Sequence, residues 1–118
     1  MSVLERAKKS WSEKLTEINE IEVPEWGDEA GPLIIYVRPS NLAERDKLFK
    51  SAKEETLESL VQVLIIRARE KDGTMMFRPA DKSHLMTAVD PDVISEVARK
   101  INSDLISLEA ELEDAEKN

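Results

Sequence analysis

Residues 53–69 read KEETLESLVQVLIIRAR, and the fold turns on this stretch. Leu57, Leu60, Val61, Leu64, Ile65 and Ala68 recur at the three- and four-residue steps of one helix face, while Val63 and Ile66 widen the stripe past it. A helix apolar over more than half its circumference needs neighbours on several sides, so the pattern predicts a central helix with others around it. Spaced apolar anchors can also form a groove for a partner helix, which makes Leu57, Leu60, Val61 and Leu64 the candidate partner-binding residues. Core packing accounts for the same four residues better.

Downstream, Lys71-Asp72-Gly73-Thr74 carries the Asp-Gly signature of a turn. Met75, Met76 and Phe77 follow as a short extended or packed run. Pro79 suits the first turn of a short helix that carries Leu85, Met86 and Val89. Asp90-Pro91 then reads as a helix cap with proline in the first helical position. Ile94, Val97, Ala98, Ile101 and Leu105 follow at helical steps, and Leu108 and Leu112 continue the series into the acidic stretch Glu109–Asn118, with Ser107 able to cap anew.

Upstream, Ser40 or Asn41 can cap a helix, with Glu44 three residues after Asn41, and Leu42, Leu48, Phe49 and Ala52 are expected to form its apolar face. Leu33-Ile34-Ile35-Tyr36-Val37-Arg38 is rich in β-branched residues and closed by Pro39, which predicts a strand. An imperfect alternation from Thr16 to Trp26 precedes it, with glycine- and proline-rich turn material from Gly27 to Pro32 between the two. Together they predict a hairpin, and an isolated hairpin must lean on helices or on another chain. Ser2, with Glu5 three residues on, caps a marginal helix whose apolar positions are Val3, Leu4, Ala7, Trp11 and Leu15.

The expected fold is therefore mainly α, a small helical bundle with a short N-terminal β-hairpin, α+β at the margin. The chain reads as one domain: an N-terminal helix over 1–15, the hairpin over 16–38, and a helical body over 40–118 with an acidic end.

Composition narrows the chemistry. Of 118 residues, 41% are hydrophobic, 36% charged and only 4% aromatic, and 17 Lys and Arg face 25 Asp and Glu for a net charge of -8. That balance argues against nucleic-acid binding, which draws affinity from cations on phosphates. No cysteine and a single histidine remove disulfides, cysteine nucleophiles and any zinc site that needs two histidines. The longest apolar stretch is far short of the ~20 residues that span a membrane, and Met1–Leu4 runs straight into charged residues. A soluble, unexported protein is expected.

Three glycines, none spaced as in a phosphate-binding loop, offer no nucleotide cradle. Asp90, Asp92 and Glu96 superficially resemble a calcium loop, but Ser95 stands at the turn glycine and Ile101 at the final glutamate, so helix capping explains them better. His84 lacks a nucleophile to serve and reads as an ordinary helix residue. No catalytic residue, cofactor or metal is expected, and the protein is expected to act through contacts. Trp11 and Trp26 stand out in an aromatic-poor chain and can each anchor a loop or helix to the core. Tryptophan is also enriched at contact surfaces, so Trp26, with Ile34 and Tyr36, is the candidate self-association surface on the hairpin.

The order of short motifs adds a resemblance. Val23-Pro24-Glu25-Trp26-Gly27 precedes a strand that ends Val37-Arg38-Pro39-Ser40, and Asn41-Leu42-Ala43-Glu44-Arg45-Asp46 opens the next helix. Lys71-Asp72-Gly73 then comes before Met76-Phe77, and an end reading Asp114-Ala115-Glu116-Lys117-Asn118 closes the series. This succession, spanning roughly residues 22–118, resembles the tail assembly chaperones of long-tailed bacteriophages and prophages.

The resemblance implies a non-enzymatic protein of the bacterial host cytoplasm that binds the long, aggregation-prone tape measure protein. It would keep that protein soluble while tail tube protein assembles around it, and leave before the virion is complete. Weak self-association into open or ring-like oligomers is expected as well, from the hairpin edge and the surplus apolar residues of 53–69. In that family a ribosomal frameshift often yields a longer form, and a chain ending at Asn118 corresponds to the short one. Two other readings stand beside it: a structural virion protein of the tail or head–tail region, and an acidic inhibitor of a basic host protein. Carboxylates alternating with Lys and Arg fit the inhibitor poorly.

Overall fold

The central stretch forms a helix as its period predicts, and three other helices pack against it. The computed structural model describes residues 2–53 and 57–103, with no side chain described for Ala52. In chain order these form helix α1 (Val3–Lys14), strands β1 (Asn19–Asp28) and β2 (Gly31–Val37), and helices α2 (Leu42–Lys53) and α3 (Glu58–Arg67). A 3-10 turn (Pro79–Asp81) leads into α4 (Lys82–Thr87), and α5 (Pro91–Ile101) completes the order. The fold is mainly helical, α+β in class, with the two strands paired antiparallel. Leu105, Ser107, Leu108, Leu112 and the acidic stretch, like residues 54–56 of the predicted central helix, lie outside the described residues. No helix among the described residues is long and apolar enough to cross a membrane.

α3 touches α2, α4 and α5, and α5 also rests on β1. Leu64 is 0% exposed and Val61 2%, and with Val63, Ile65 and Ala68 they share one core with Val23, Ile35 and Val37 of the hairpin, Leu48 of α2, Leu85 of α4, and Ile94, Val97, Ala98 and Ile101 of α5. Strand alternation places these hairpin residues: Ile35 and Val37 point inward, and Ile21 and Val23 pair with Ile35 and Leu33 across the ladder. Core helices thus cover one face of a hairpin too small to stand alone.

Caps fall where the side-chain chemistry asks for them. Asn41 and Glu44 form a reciprocal box: Glu44 N donates to Asn41 Oδ1 at 2.9 Å, and Asn41 N to Glu44 Oε1 at 3.1 Å. Ser2 accepts from Glu5 N, and Asp90 from Asp92 N with Pro91 in the first helical turn. At the hairpin turn Ala30 N donates to Asp28 Oδ1, and Gly31 takes a φ of 131°, a conformation open to glycine.

Three expectations are corrected. The central helix does not run to Arg69: Ala68 turns extended, and Arg69 exchanges both backbone bonds with Tyr36, at 3.0 and 3.1 Å. Met76 N donates to Ala68 O and Glu70 N to Thr74 O, so residues 68–76 fold back as a small loop along the β2 edge. Sheet pairing with an edge that needed partners outweighs helix propensity there. Next, Leu42 is 84% exposed rather than on the apolar face of α2. Six residues separate it from Leu48, about 240° around a helix, so the two cannot share a face. Last, the hairpin begins at Asn19 and not at residue 16, because Thr16 and Glu17 are spent closing α1 through bonds to Glu13 O and Lys14 O.

Candidate functional site

Trp26, Leu33, Met76, Phe77, Leu85 and Val89 line an open cleft of about 280 Å³. Every lining residue is apolar, and apart from the buried Leu85 each is half-buried, so the cleft is neither sealed core nor ordinary surface. A small concave cleft lined only by apolar side chains and open to solvent is a place where one further apolar group can sit.

Each wall has a local cause. The ladder register shifts between Val23 and Asp28, which brings Trp26 to the inner face of β1. Gly27 makes this close approach possible, since a Cβ there would lie 2.4 Å from the Gly31 carbonyl oxygen. Leu33 follows on the same face of β2. On the opposite wall, the turn at residues 71–74 delivers Met76 and Phe77: Asp72 Oδ1 accepts from Thr74 N at 3.0 Å and from Thr74 Oγ1 at 2.7 Å, and Gly73 takes a φ of 93°. The rings of Trp26 and Phe77 meet edge to face, centroids 6.1 Å apart at 76°. Such a pair adds about 1 kcal/mol beyond its buried area, which keeps the two walls in register. Leu85 and Val89 form the floor and far rim, at α4 and just beyond it.

The thiol-free, glycine-poor lining offers no nucleophile, and among the described residues no three His, Asp or Glu side chains are grouped to hold a metal ion. In the turn that delivers Met76 and Phe77, the Asp72 carboxyl sits below the usual value because the Thr74 amide and hydroxyl donate to it, with Arg38 adding a favourable charge. That serves the turn. The arrangement can bind an apolar side chain or helix edge.

The residues expected to bind partners are not gathered at this cleft. Val61 and Leu64 are core, Leu60 is half-buried and packed against the core, and Leu57 is 76% exposed at the start of α3, so the four share a segment but not a surface. Of the hairpin residues, Trp26 faces inward onto Phe77, whereas Ile34 and Tyr36 alternate to the other face, and the Tyr36 backbone is already paired with Arg69. Met76, Phe77, Leu85 and Val89 were visible as apolar positions. What joined them to Trp26 is a contact across some fifty residues of chain, beyond any periodicity. No family model matches the chain, nor does any curated protein or solved structure.

Proposed function

We propose that this protein is a non-enzymatic tail assembly chaperone of a long-tailed phage or prophage, which holds the tape measure protein soluble while tail tube protein assembles around it. The observation that carries the reading is the apolar cleft of Trp26, Leu33, Met76, Phe77, Leu85 and Val89 on a chain of net charge -8. A holdase must present apolar surface to a client helix and still repel its own kind, and a strong net charge supplies the repulsion. The cleft suits a helix-in-groove contact, with an apolar side chain of the client seated between the hairpin wall and the α4 wall. The small bundle of helices on α3 acts as the rigid base of that wall, and the site of action is the host cytoplasm.

Co-expression with the long coiled-coil-like protein encoded just downstream tests the reading. Wild type is expected to raise its soluble fraction and to co-purify with it. Val89→Asp, which puts a charge in the cleft rim, is expected to abolish co-purification while the circular dichroism spectrum stays folded. Equal insolubility of the long protein with and without this one would sink the proposal. Mass spectrometry of purified particles adds a second check, since a chaperone is absent from them and a structural tail protein is present in fixed copy number.

A further inference from the structure

Helix α1 contributes no buried residue to the fold, yet one end of it is held. Trp11 and Leu15 border Pro39 and Ile66, and Thr16 and Glu17 close the helix with backbone bonds to Glu13 O and Lys14 O. Leu4 stands seven residues before Trp11, about 20° short of two full turns, so both lie on the same side of the helix. Trp11 is half-buried there, while Leu4 is 64% exposed and Val3 72%, so the first turns of α1 overhang the body. Charge is divided along the same line. α1 carries Arg6, Lys8, Lys9 and Lys14 against Glu5 and Glu13, whereas residues 16–37 carry Glu17, Glu20, Glu22, Glu25, Asp28 and Glu29 and no Lys or Arg. Among the described residues Arg6, Lys8 and Lys9 form no ion pair, and neither do those six acids. A cationic helix with an apolar tip thus precedes an acidic hairpin that forms one wall of the apolar cleft.

We propose that the overhanging start of α1 docks in the apolar cleft of a second copy of this chain, with Leu4 seated between Trp26 and Val89 of that copy. Three observations select this occupant. The cleft has room for one apolar side chain, and Leu4 offers an exposed one near the end of a helix. α1 does not fill the cleft of its own molecule: neither Val3 nor Leu4 lines it, and the helix is set against Pro39 and Ile66 instead. The charges also match, since Arg6, Lys8 and Lys9 lie within five residues of Leu4, and Glu25, Asp28 and Glu29 flank Trp26 along the chain. Complementary charge decides which surfaces meet, and the buried apolar group supplies the affinity. The net charge of -8 opposes the approach of two copies, so the contact is weak and the local match singles out this pair of surfaces. A helix tip in a remote cleft is a head-to-tail contact. It leaves one free tip and one free cleft on the assembly, which grows as an open chain or closes as a ring. The contact needs no client protein and does not rest on the chaperone reading.

The chain has no cysteine, so introduced thiols report cleanly. Full-length Leu4→Cys chains mixed with mass-tagged Val89→Cys chains are expected to oxidise to the heterodimer in severalfold excess over either homodimer. Tagged Leu57→Cys, which places the thiol on an exposed residue at the start of α3, is expected to give no such excess with Leu4→Cys. Lys8→Glu with Lys9→Glu in the Leu4→Cys chain should lower the heterodimer severalfold, and Glu25→Lys with Glu29→Lys in the Val89→Cys chain should restore it. A single chain carrying both Leu4→Cys and Val89→Cys is expected to yield linked multimers. An oxidised monomer as its main product would place α1 on its own cleft and overturn the proposal. So would a heterodimer no more abundant than the homodimers or the Leu57→Cys pair, or one indifferent to the charge reversals. None of these outcomes involves the tape measure protein, so failure here leaves its co-purification to be judged separately.

Discussion

Arg67 joins three chain segments with one side chain. At 4% exposure its guanidinium donates to the Ile101 carbonyl at 3.0 Å, to Asn102 Oδ1 at 3.2 Å and to the Arg38 carbonyl at 3.0 Å, so the ends of α3, α5 and β2 are tied at one point. Only a planar fork reaches such divergent acceptors, and a lysine ammonium does not replace it. Arg67→Met keeps much of the volume but leaves buried acceptors without a donor, an expected loss of about 3 kcal/mol. In urea its midpoint should fall with the slope unchanged, and Arg67→Lys should lie between it and wild type. A midpoint equal to wild type for Arg67→Met would show the tie to be worthless. Asp72 works in the opposite setting, at the surface. The Thr74 amide and hydroxyl favour its charged form, and so does the charge of Arg38, so its pKa in the fold lies below the unfolded value. Its contribution is therefore present at neutral pH and down to the ordinary carboxylate range, and is lost as pH falls through the lowered folded value. An NMR titration should show Asp72 titrating below the ordinary aspartate value. In Thr74→Ala, which removes the hydroxyl donor, it should move back toward that value.

Elements were predictable where a local interaction decides them. The Asn41–Glu44 box, the Asp90-Pro91 start of α5 and the hairpin turn are each complete within a few residues, and each forms as its side chains dictate. Asn41→Ala is accordingly expected to cost about 1 kcal/mol, the usual worth of an N-cap. Thermal melts that read a loss near zero would mean that α2 is held by Leu48 and Phe49 alone. The end of α3 was not predictable, because Ala68 and Arg69 leave the helix to satisfy the open edge of β2, a demand set by residues more than thirty positions earlier. The cleft escaped detection for the same reason: Trp26 and Phe77 meet only once the hairpin and the turn at residues 71–74 are both in place. The same pairing bears on self-association. Arg69 occupies the β2 edge at Tyr36, and β1 presents Pro24 and the exposed Glu20, Glu22 and Glu25, features that discourage strand-to-strand addition. Any association between copies would then fall to apolar side chains rather than to strand edges.

Across the whole molecule those side chains are balanced only by charge. The cleft and the exposed Val3, Leu4, Leu42, Leu57 and Met86 lie on a protein of net charge -8, and like-charge repulsion opposes contact between such surfaces at neutral pH. Lowering the pH toward the isoelectric value of 4.8 removes the net charge but leaves the apolar surface untouched. Proteins near zero net charge associate, so light scattering is expected to report rising mass as the pH falls to that value, and the mass should fall back on return to neutrality. Val89→Asp should reduce the rise where the cleft forms the contact, whereas Leu57→Asp should reduce it where the start of α3 does. Salt offers an independent check: at neutral pH, raising ionic strength to about 1 M shortens the screening length to about 3 Å and should promote the same association without protonating any group. A protein that stays monomeric under both treatments would show that its exposed apolar residues are too scattered to join copies.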